Sequence, residues 1–402
     1  MDPSSGRDEL ADVRIRDGKI AEIGPHLSPQ DGEEGFDASG AVVAPGFVDM
    51  HVHLREPGFT EKESISTGTR AALRGGFTSV ACMPNTNPPL DDPAALHRLG
   101  EAVARCARVR VYPIAAMTRG RRGEEPSDYT GLAQAGAVAF SDDGDAVPSA
   151  AVLREAALAA AGVPGVFISH CEDAAIKAAE PASSLAENLI VARDLLVAGD
   201  TGKDWHVAHV STAVALDLIR WARARGIRVT CEATPHHLTF TSVLRQSFGA
   251  AAAVNPPLRS NEDVASLRRA VFDGTVDALA SDHAPHTDAD KRPARGAPAP
   301  GFTGLEIALG AYAAALPDLP LSRFVALLST NPARILGIPG GSLAVGADAD
   351  VTVFADRPWR VDPGAFASKG RCTPFDGLTL PRKAIATIVG GEIRYRDGGQ
   401  AQ

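Results

Sequence analysis

The chain is predicted to fold as an α/β protein of the TIM type, a (β/α)8 barrel carrying a small β-sandwich domain built from both chain ends. Three observations predict it. Short β-type runs alternate with Ala/Leu/Arg-rich helical stretches, the pattern of βα units around a parallel sheet. Eight such runs occur, the number that closes a barrel. Nearly every run ends in a polar group, and in a βα barrel the carboxyl ends of the strands form one mouth, where distant sequence positions converge.

In order, the runs are "GFVDMHVHL", "TSVACMP", "RVYPIAA", "AVAFSDD", "GVFISHC", "WHVAHVS", "RVTCEATP" and "VDALASDHA". Between them lie helix candidates at Ser64–Arg74, Ala150–Ala161, Ala213–Arg225 and Glu262–Phe272, the last preceded by Ser260 and Asn261 as N-cap residues. The chain ends read differently: "ADVRIRDGKIAEIG", "SLAVGADADVTVFAD" and "KAIATIVGGEIRYRDG" are short alternating strands broken by Gly and Asp turns. The expected division is therefore 1–43 and 341–402 for the small β-domain and 44–340 for the barrel. "KRPARGAPAPG", after the eighth run, reads as a mobile loop over the mouth.

With 402 residues, 45% hydrophobic and 22% charged, the chain has ample material for a core, and disorder is not indicated. A formal charge of −9 argues against nucleic acid or an anionic membrane as the main partner, so any anionic substrate must be met by local positive charge or metal. Five cysteines are scattered without a CxxC pair, "MDPSSGRDEL" has no signal-peptide core, and no apolar run reaches the roughly 18 residues of a membrane helix. A reducing, cytoplasmic setting is expected.

The polar strand ends carry the chemistry. Side chains at i and i+2 of a strand share a face, so His51 and His53 point together, and two imidazoles so placed grip a cation, at about 2.0–2.1 Å for zinc. His170 and His209 end the fifth and sixth runs, Asp143 the fourth and Asp282 the eighth. Three such ligands suffice for one catalytic zinc; this set holds more, so one or two ions are expected, with Asp143 able to bridge. Asp142, beside it, reads better as a helix cap or as a hydrogen-bonding support. His236, His237 and His283 read as supporting or structural.

Beyond these residues, "DMHVHLREPG", "MPNTNPP", "FSDDG", "SHCED", "HVAHVST", "TPHHL", "NPPLRS" and "SDHAPH" occur in the order and spacing of the class I dihydroorotase family of the amidohydrolase superfamily, which the chain resembles from Pro45 to about Ile338. The resemblance implies His51, His53, Asp143, His170, His209 and Asp282 as zinc ligands, with Asp282 also moving the proton. It implies a substrate shell of His53, Arg55, Asn85, Asn255, His286, Pro300 and Gly301. The implied reaction is reversible cyclisation of N-carbamoyl-L-aspartate to L-dihydroorotate in pyrimidine synthesis, through a zinc-activated hydroxide. The implied partners are the small-molecule substrate, a second copy of the chain and aspartate carbamoyltransferase. Arg55 agrees physically, since its planar fork suits a carboxylate. Asn85 and Asn255 sit among prolines, so loop structure alone also accounts for them.

Two rival readings stand beside this one. Related cyclic amidases (dihydropyrimidinase, hydantoinase, allantoinase) share the HxH motif but carry a carbamylated lysine at the end of strand four, where this chain has "AFSDDG". Silent relatives that act as a scaffold for the transcarbamoylase have lost metal ligands, and here every expected one is present. The chain also departs from the family at its start: the resemblance implies one more strand ahead of "DPSSG", so either an edge strand is lacking or the assigned start lies late.

Overall fold

The computed structural model describes residues 1–398. Two strands, β1 (Asp12–Arg16) and β2 (Lys19–Gly24), form a hairpin, and β3 (Val42–Pro45) follows. The eight expected runs then appear as β4 (Phe47–Val52), β5 (Phe77–Cys82), β6 (Arg110–Ala115), β7 (Ala139–Phe140), β8 (Val166–Ser169), β9 (Trp205–Val207), β10 (Val229–Ala233) and β11 (Ala278–Leu279). They pair in parallel, each beside its sequence neighbour. A parallel bridge between Val52 and His283, with His53 N donating to His283 O at 2.8 Å, brings the last strand back to the first and closes the barrel.

Local sequence explains the connecting helices. The helix Ile65–Gly75 begins at Ser64, whose hydroxyl accepts from Thr67 N while Thr67 caps in return, and it ends at Gly76 with φ 88°. A side chain at Gly76 would also strike Thr352 Cγ2 at 2.8 Å, where the barrel meets the terminal domain. Helices Ala150–Ala159, Ala213–Arg223 and Asn261–Asp273 fall where periodicity places them, the last capped by Ser260.

The barrel has two apolar layers. Val48, Met50, Ala81, Ile114, Ile168, Ala208 and Ala280 fill the inside, over a floor of Ala333, Leu336 and Ile338. Phe47, Val52, Phe140, Phe167 and Trp205 pack outward with helix residues such as Leu73, Leu153, Leu195 and Leu216. Val48 and Met50 belong to the inner layer, whereas Val52 and Leu54 belong to the outer one, so the alternation of β4 slips between them. The pairing of β4 with β5 is irregular at that same place, between Asp49 and Val52. A slip of this kind re-aims side chains, and here it turns His51 and His53 to the mouth.

After three helices (Ala308–Ala315, Leu321–Leu328, Thr330–Leu336) come β12 (Val351–Ala355), β13 (Trp359–Arg360), β14 (Thr379–Leu380), β15 (Lys383–Val389) and β16 (Glu392–Arg396). An antiparallel sheet in the order β16-β15-β12-β3 joins the two chain ends, and the β1–β2 hairpin covers it through Val13, Ile15, Ile20 and Ile23 against Val351, Val353, Ala386 and Ile388. At the edge strand β3, the Met1 amine donates to Val43 O at 2.9 Å. Among the described residues no helix is long and apolar enough to cross a membrane.

Candidate metal centre and active site

The ends of β4, β7, β8, β9 and β11 bring their polar side chains to one point. Asp143, just past β7, lies at the middle: its Oδ1 is 3.3 Å from His51 Nε2, 3.5 Å from His170 Nδ1 and 3.6 Å from His209 Nε2. Its Oδ2 is 3.5 Å from His53 Nε2. Asp282 faces the pair from the other side, with Oδ1 at 3.2 Å from His53 Nε2 and 3.5 Å from His51 Nε2. Two overlapping groups result, His51/Asp143/His209 and His51/His53/Asp282, each with ligand atoms within 4.8 Å of one another. All six residues predicted to hold metal are buried there.

Three features show that this arrangement fits a cation. First, His51 Nε2 and Asp143 Oδ1 are buried and 3.3 Å apart, yet neither has a hydrogen-bond partner among the described residues. Unmet buried polar atoms are costly unless something sits between them. Second, three of the imidazoles have their far nitrogen fixed by an acceptor: His51 Nδ1 by Glu232 Oε1 at 2.7 Å, His53 Nδ1 by Asn85 Oδ1 at 2.9 Å, and His170 Nε2 by Glu172 Oε2 at 2.9 Å. An acceptor there keeps the proton on the far nitrogen and turns the near lone pair to the centre.

Third, the charge balance calls for a cation. Burial alone would push the His170 ring down, but Asp143 and Glu172 outweigh it and lift it to about 9. His51 is raised in the same way, against burial, by Asp143 and Glu232. Glu232 in turn is held down to about 2, burial notwithstanding, by His51 and His206. The carboxylates thus draw protons onto rings that would otherwise be neutral, and a divalent ion satisfies the same demand.

Backbone strain marks the same residues. Of the six non-glycine residues at positive φ among the described residues, three are Arg55 (60°), His209 (33°) and Asp282 (49°), and such strain concentrates at functional sites. Asp49, also buried, accepts from Ser281 N and His51 N, tying the last barrel strand to the first behind the centre. Burial pushes its carboxyl up to about 7.

Of the predicted substrate residues, His53 and Asn85 bond to each other, and Arg55, His286 and Pro300 form a second group in contact. Arg55 Nε donates to Pro285 O at 3.3 Å and its Nη2 lies 3.3 Å from His286 Nε2, which donates to Pro300 O at 2.9 Å. The bonding partners of Arg55 include no carboxylate among the described residues. Burial brings the guanidinium down to about 10, and burial together with Arg55 holds His286 down to about 3, so this histidine is neutral and the arginine is the charge. Gly301, at φ 122°, packs so closely that a Cβ would lie 2.6 Å from Ala284 Cβ. Asn255 is engaged elsewhere: with its amide oriented by its neighbours, Oδ1 accepts from Lys177 Nζ at 2.7 Å and the NH2 donates to Val254 O at 3.1 Å. Asn85 is likewise spoken for, by His53.

Asp142 turns away from the centre and accepts from Thr118 N and Oγ1, the supporting role expected of it. His237 Nε2 donates to Pro256 O at 2.9 Å, and His283 lies against Glu63. Sequence reasoning missed Glu172 and Glu232. Each had a signal: Glu172 stands two residues after His170 in "SHCED", and Glu232 is a lone carboxylate in the apolar strand "VTCEA".

The barrel, its closing bridge and a mouth that fits a cation, taken with the relatives that follow, place the chain among cyclic-amide hydrolases on an amidohydrolase-type scaffold. Solved structures share the fold: L-hydantoinase (dihydropyrimidinase) from Arthrobacter aurescens superposes with a TM-score of 0.89 at 28% identity, over 98% of this chain and 93% of that one. Dihydropyrimidinase from Brevibacillus agri NCHU1002 gives 0.87 at 22% over the same shares, a likeness of fold alone. A family model described as Dihydro-orotase-like matches residues 40–184. Dihydroorotase from Pelotomaculum thermopropionicum is 49% identical over 99% of this chain and 97% of that protein, and the Syntrophus aciditrophicus enzyme of the same name is 42% identical over the same shares. The chain belongs to the dihydroorotase family.

Proposed function

We propose that the chain interconverts N-carbamoyl-L-aspartate and L-dihydroorotate plus water, in pyrimidine (UMP) biosynthesis in the cytoplasm, with one or two zinc ions held by His51, His53, Asp143, His170, His209 and Asp282. The observation that carries this reading is the approach of Asp143 Oδ1 to three imidazole nitrogens at 3.3 to 3.6 Å, together with a guanidinium, Arg55, that has no carboxylate partner among the described residues. Bound zinc supplies Lewis acidity, lowering the pKa of water towards neutrality and polarising a carbonyl. Histidine-rich ligation favours zinc over harder ions.

The chain's own residues do the rest. Burial works against an ionised Asp282, yet His51 and His53 hold its carboxyl below the usual range, so it is ready to accept a proton from the attacking water. It then delivers that proton to the ring nitrogen as the amide opens, and the roles reverse in cyclisation. Arg55 anchors the carboxylate that distinguishes dihydroorotate from neutral cyclic ureides, and the neutral ring of His286 and the Pro300–Gly301 backbone shape the wall beside it. That charge favours dihydroorotate over the hydantoin-type substrates named for the structural neighbours.

We also propose the barrel at 44–340 and a small β-domain from 1–43 and 341–402 as the domain division, and a second copy of the chain and aspartate carbamoyltransferase as protein partners on the strength of the resemblance. Gel filtration alone and with the transcarbamoylase tests the partners. The decisive assay presents the metal-loaded chain with dihydroorotate, dihydrouracil and hydantoin in parallel. Turnover confined to dihydroorotate is expected; turnover of a neutral ring at equal or greater kcat/KM contradicts the assignment.

A further inference from the structure

Lys291 is a buried charge that the proposed chemistry does not use. It closes the short helix Asp288–Lys291, which Thr287 and Asp290 cap reciprocally, and it is only 2% exposed. Lysine is almost never so deeply buried without an acidic partner, because desolvating an ammonium is expensive. Here its partners are main-chain carbonyls: Gly301 O at 2.7 Å, Ala299 O at 2.8 Å and, more distantly, Ala253 O at 3.5 Å. Burial lowers its pKa from the ordinary value. An ammonium placed at this cost has three donors in fixed directions, and the question is what they hold.

They hold the substrate wall. Gly301 N donates to Ala253 O at 2.8 Å, two residues before Asn255. Pro300 O accepts from His286, Ala284 N donates to Phe302 O at 2.9 Å, and Gly301 presses on Ala284 closely enough to exclude any side chain. Segments 253–255, 284–286 and 299–301 are therefore knit together, and the ammonium bonds two of them directly from behind. These segments carry Asn255, His286, Pro300 and Gly301. His53, Arg55 and Asn85 instead follow directly on β4 and β5, and Arg55 Nε reaches across to Pro285 O, joining the two sides. Between Lys291 and Ala299 the chain runs through an exposed stretch including Arg295.

We infer that Lys291 is a positioning residue for the substrate: its ammonium fixes the far end of the 292–301 loop, and so sets the Pro300–Gly301 backbone and the His286 ring at the distance from Arg55 that binding requires. The inference rests on the reading of this wall as substrate-binding, and its test separates the two. In the full, metal-loaded chain, Lys291→Met removes the ammonium at similar length, and Lys291→Gln keeps two N–H donors without the charge. Trypsin reports the loop: Arg292 precedes a proline and resists cleavage, so in either variant the informative cut is after Arg295. Steady-state kinetics with dihydroorotate report the wall.

In Lys291→Met, cleavage after Arg295 should accelerate by about tenfold and KM should rise by about tenfold, while kcat stays within about threefold and zinc content is unchanged. Lys291→Gln should recover part of both losses, and it serves as the test if the methionine variant does not fold. KM and cleavage near the original values in a folded variant would overturn the inference, as would faster cleavage with unchanged KM, which is what a purely structural role gives. Failure of the unaltered chain to turn over dihydroorotate would instead remove the functional reading, whereas the cleavage comparison would still decide whether Lys291 orders the loop.

Discussion

The two halves of the mouth are built on opposite principles. The proposed metal half is made of side chains at barrel-strand ends, three of its imidazoles locked by an acceptor: Glu232 of β10 for His51, Asn85 beyond β5 for His53, and Glu172, two residues further along the same segment, for His170. The far side of the substrate half is made of loops whose main-chain carbonyls face a buried ammonium and a neutral imidazole. Rigidity in the first comes from sheet register and charged hydrogen bonds, and in the second from backbone packing. Chemistry that tolerates little displacement rests on strands, and recognition rests on loops.

Substitutions can break this contrast, the largest effect coming from the proposed proton carrier. Asp282→Asn should lower kcat by at least about 10²-fold while dihydroorotate still binds, since the amide cannot shuttle a proton. Steady-state kinetics with a parallel binding isotherm and zinc analysis check this; near-normal kcat with metal in place would remove the assignment. Arg55→Ala comes next, raising KM by about 10- to 100-fold with a smaller change in kcat, because a charge-assisted bond to a carboxylate is lost. Arg55→Lys should recover little of it, for a point charge does not reproduce the planar fork.

Further back, Glu232→Gln leaves every metal ligand in place but weakens the acceptor on His51 and on the His209 backbone, which donates to it at 3.2 Å. Zinc affinity, read by chelator competition, should drop by about 10- to 100-fold. An unchanged affinity would mean that strand register alone holds these rings.

The smallest effect is on pH, and it distinguishes the halves by sign. His170 is lifted to about 9, so in the metal-free chain its stabilisation is complete below the ordinary histidine pKa and is lost as pH rises through 9. His286 is lowered to about 3, so its stabilisation is complete above the ordinary value and is lost as pH falls through 3. Thermal melts of the metal-free chain should therefore decline between about pH 6.5 and 9.5, and zinc should abolish that alkaline decline while leaving the acid one. An alkaline decline of equal size with zinc bound would contradict the ligand role of His170.

The convergence of His51, His53, Asp143, His170, His209 and Asp282 was legible because such residue types are rare at strand ends: a histidine or aspartate closing an apolar run has few structural excuses. The eight strands were legible for the same reason, as apolar runs with polar stops. The register slip that aims His51 and His53 was not, because the string "FVDMHVHL" reads as regular alternation; the split of Met50 from Val52 between two packing layers and the irregular pairing with β5 expose it. Glu172 and Glu232 look like ordinary charges until their imidazole partners, 2 and 181 residues away, are placed beside them. The loop wall was least legible, since main-chain carbonyls leave no mark on side-chain identity, and Lys291 followed by Arg292 suggests a solvated basic turn rather than a buried anchor.

Anomalous diffraction at the zinc edge from crystals of the metal-loaded chain tests the central claim most directly. The account predicts density between Asp143 and Asp282, at about 2.0–2.1 Å from His51 Nε2 and His53 Nε2, with Asp143 in contact with every ion present. Zinc located away from Asp143, or bound without the His51/His53 pair, would contradict it.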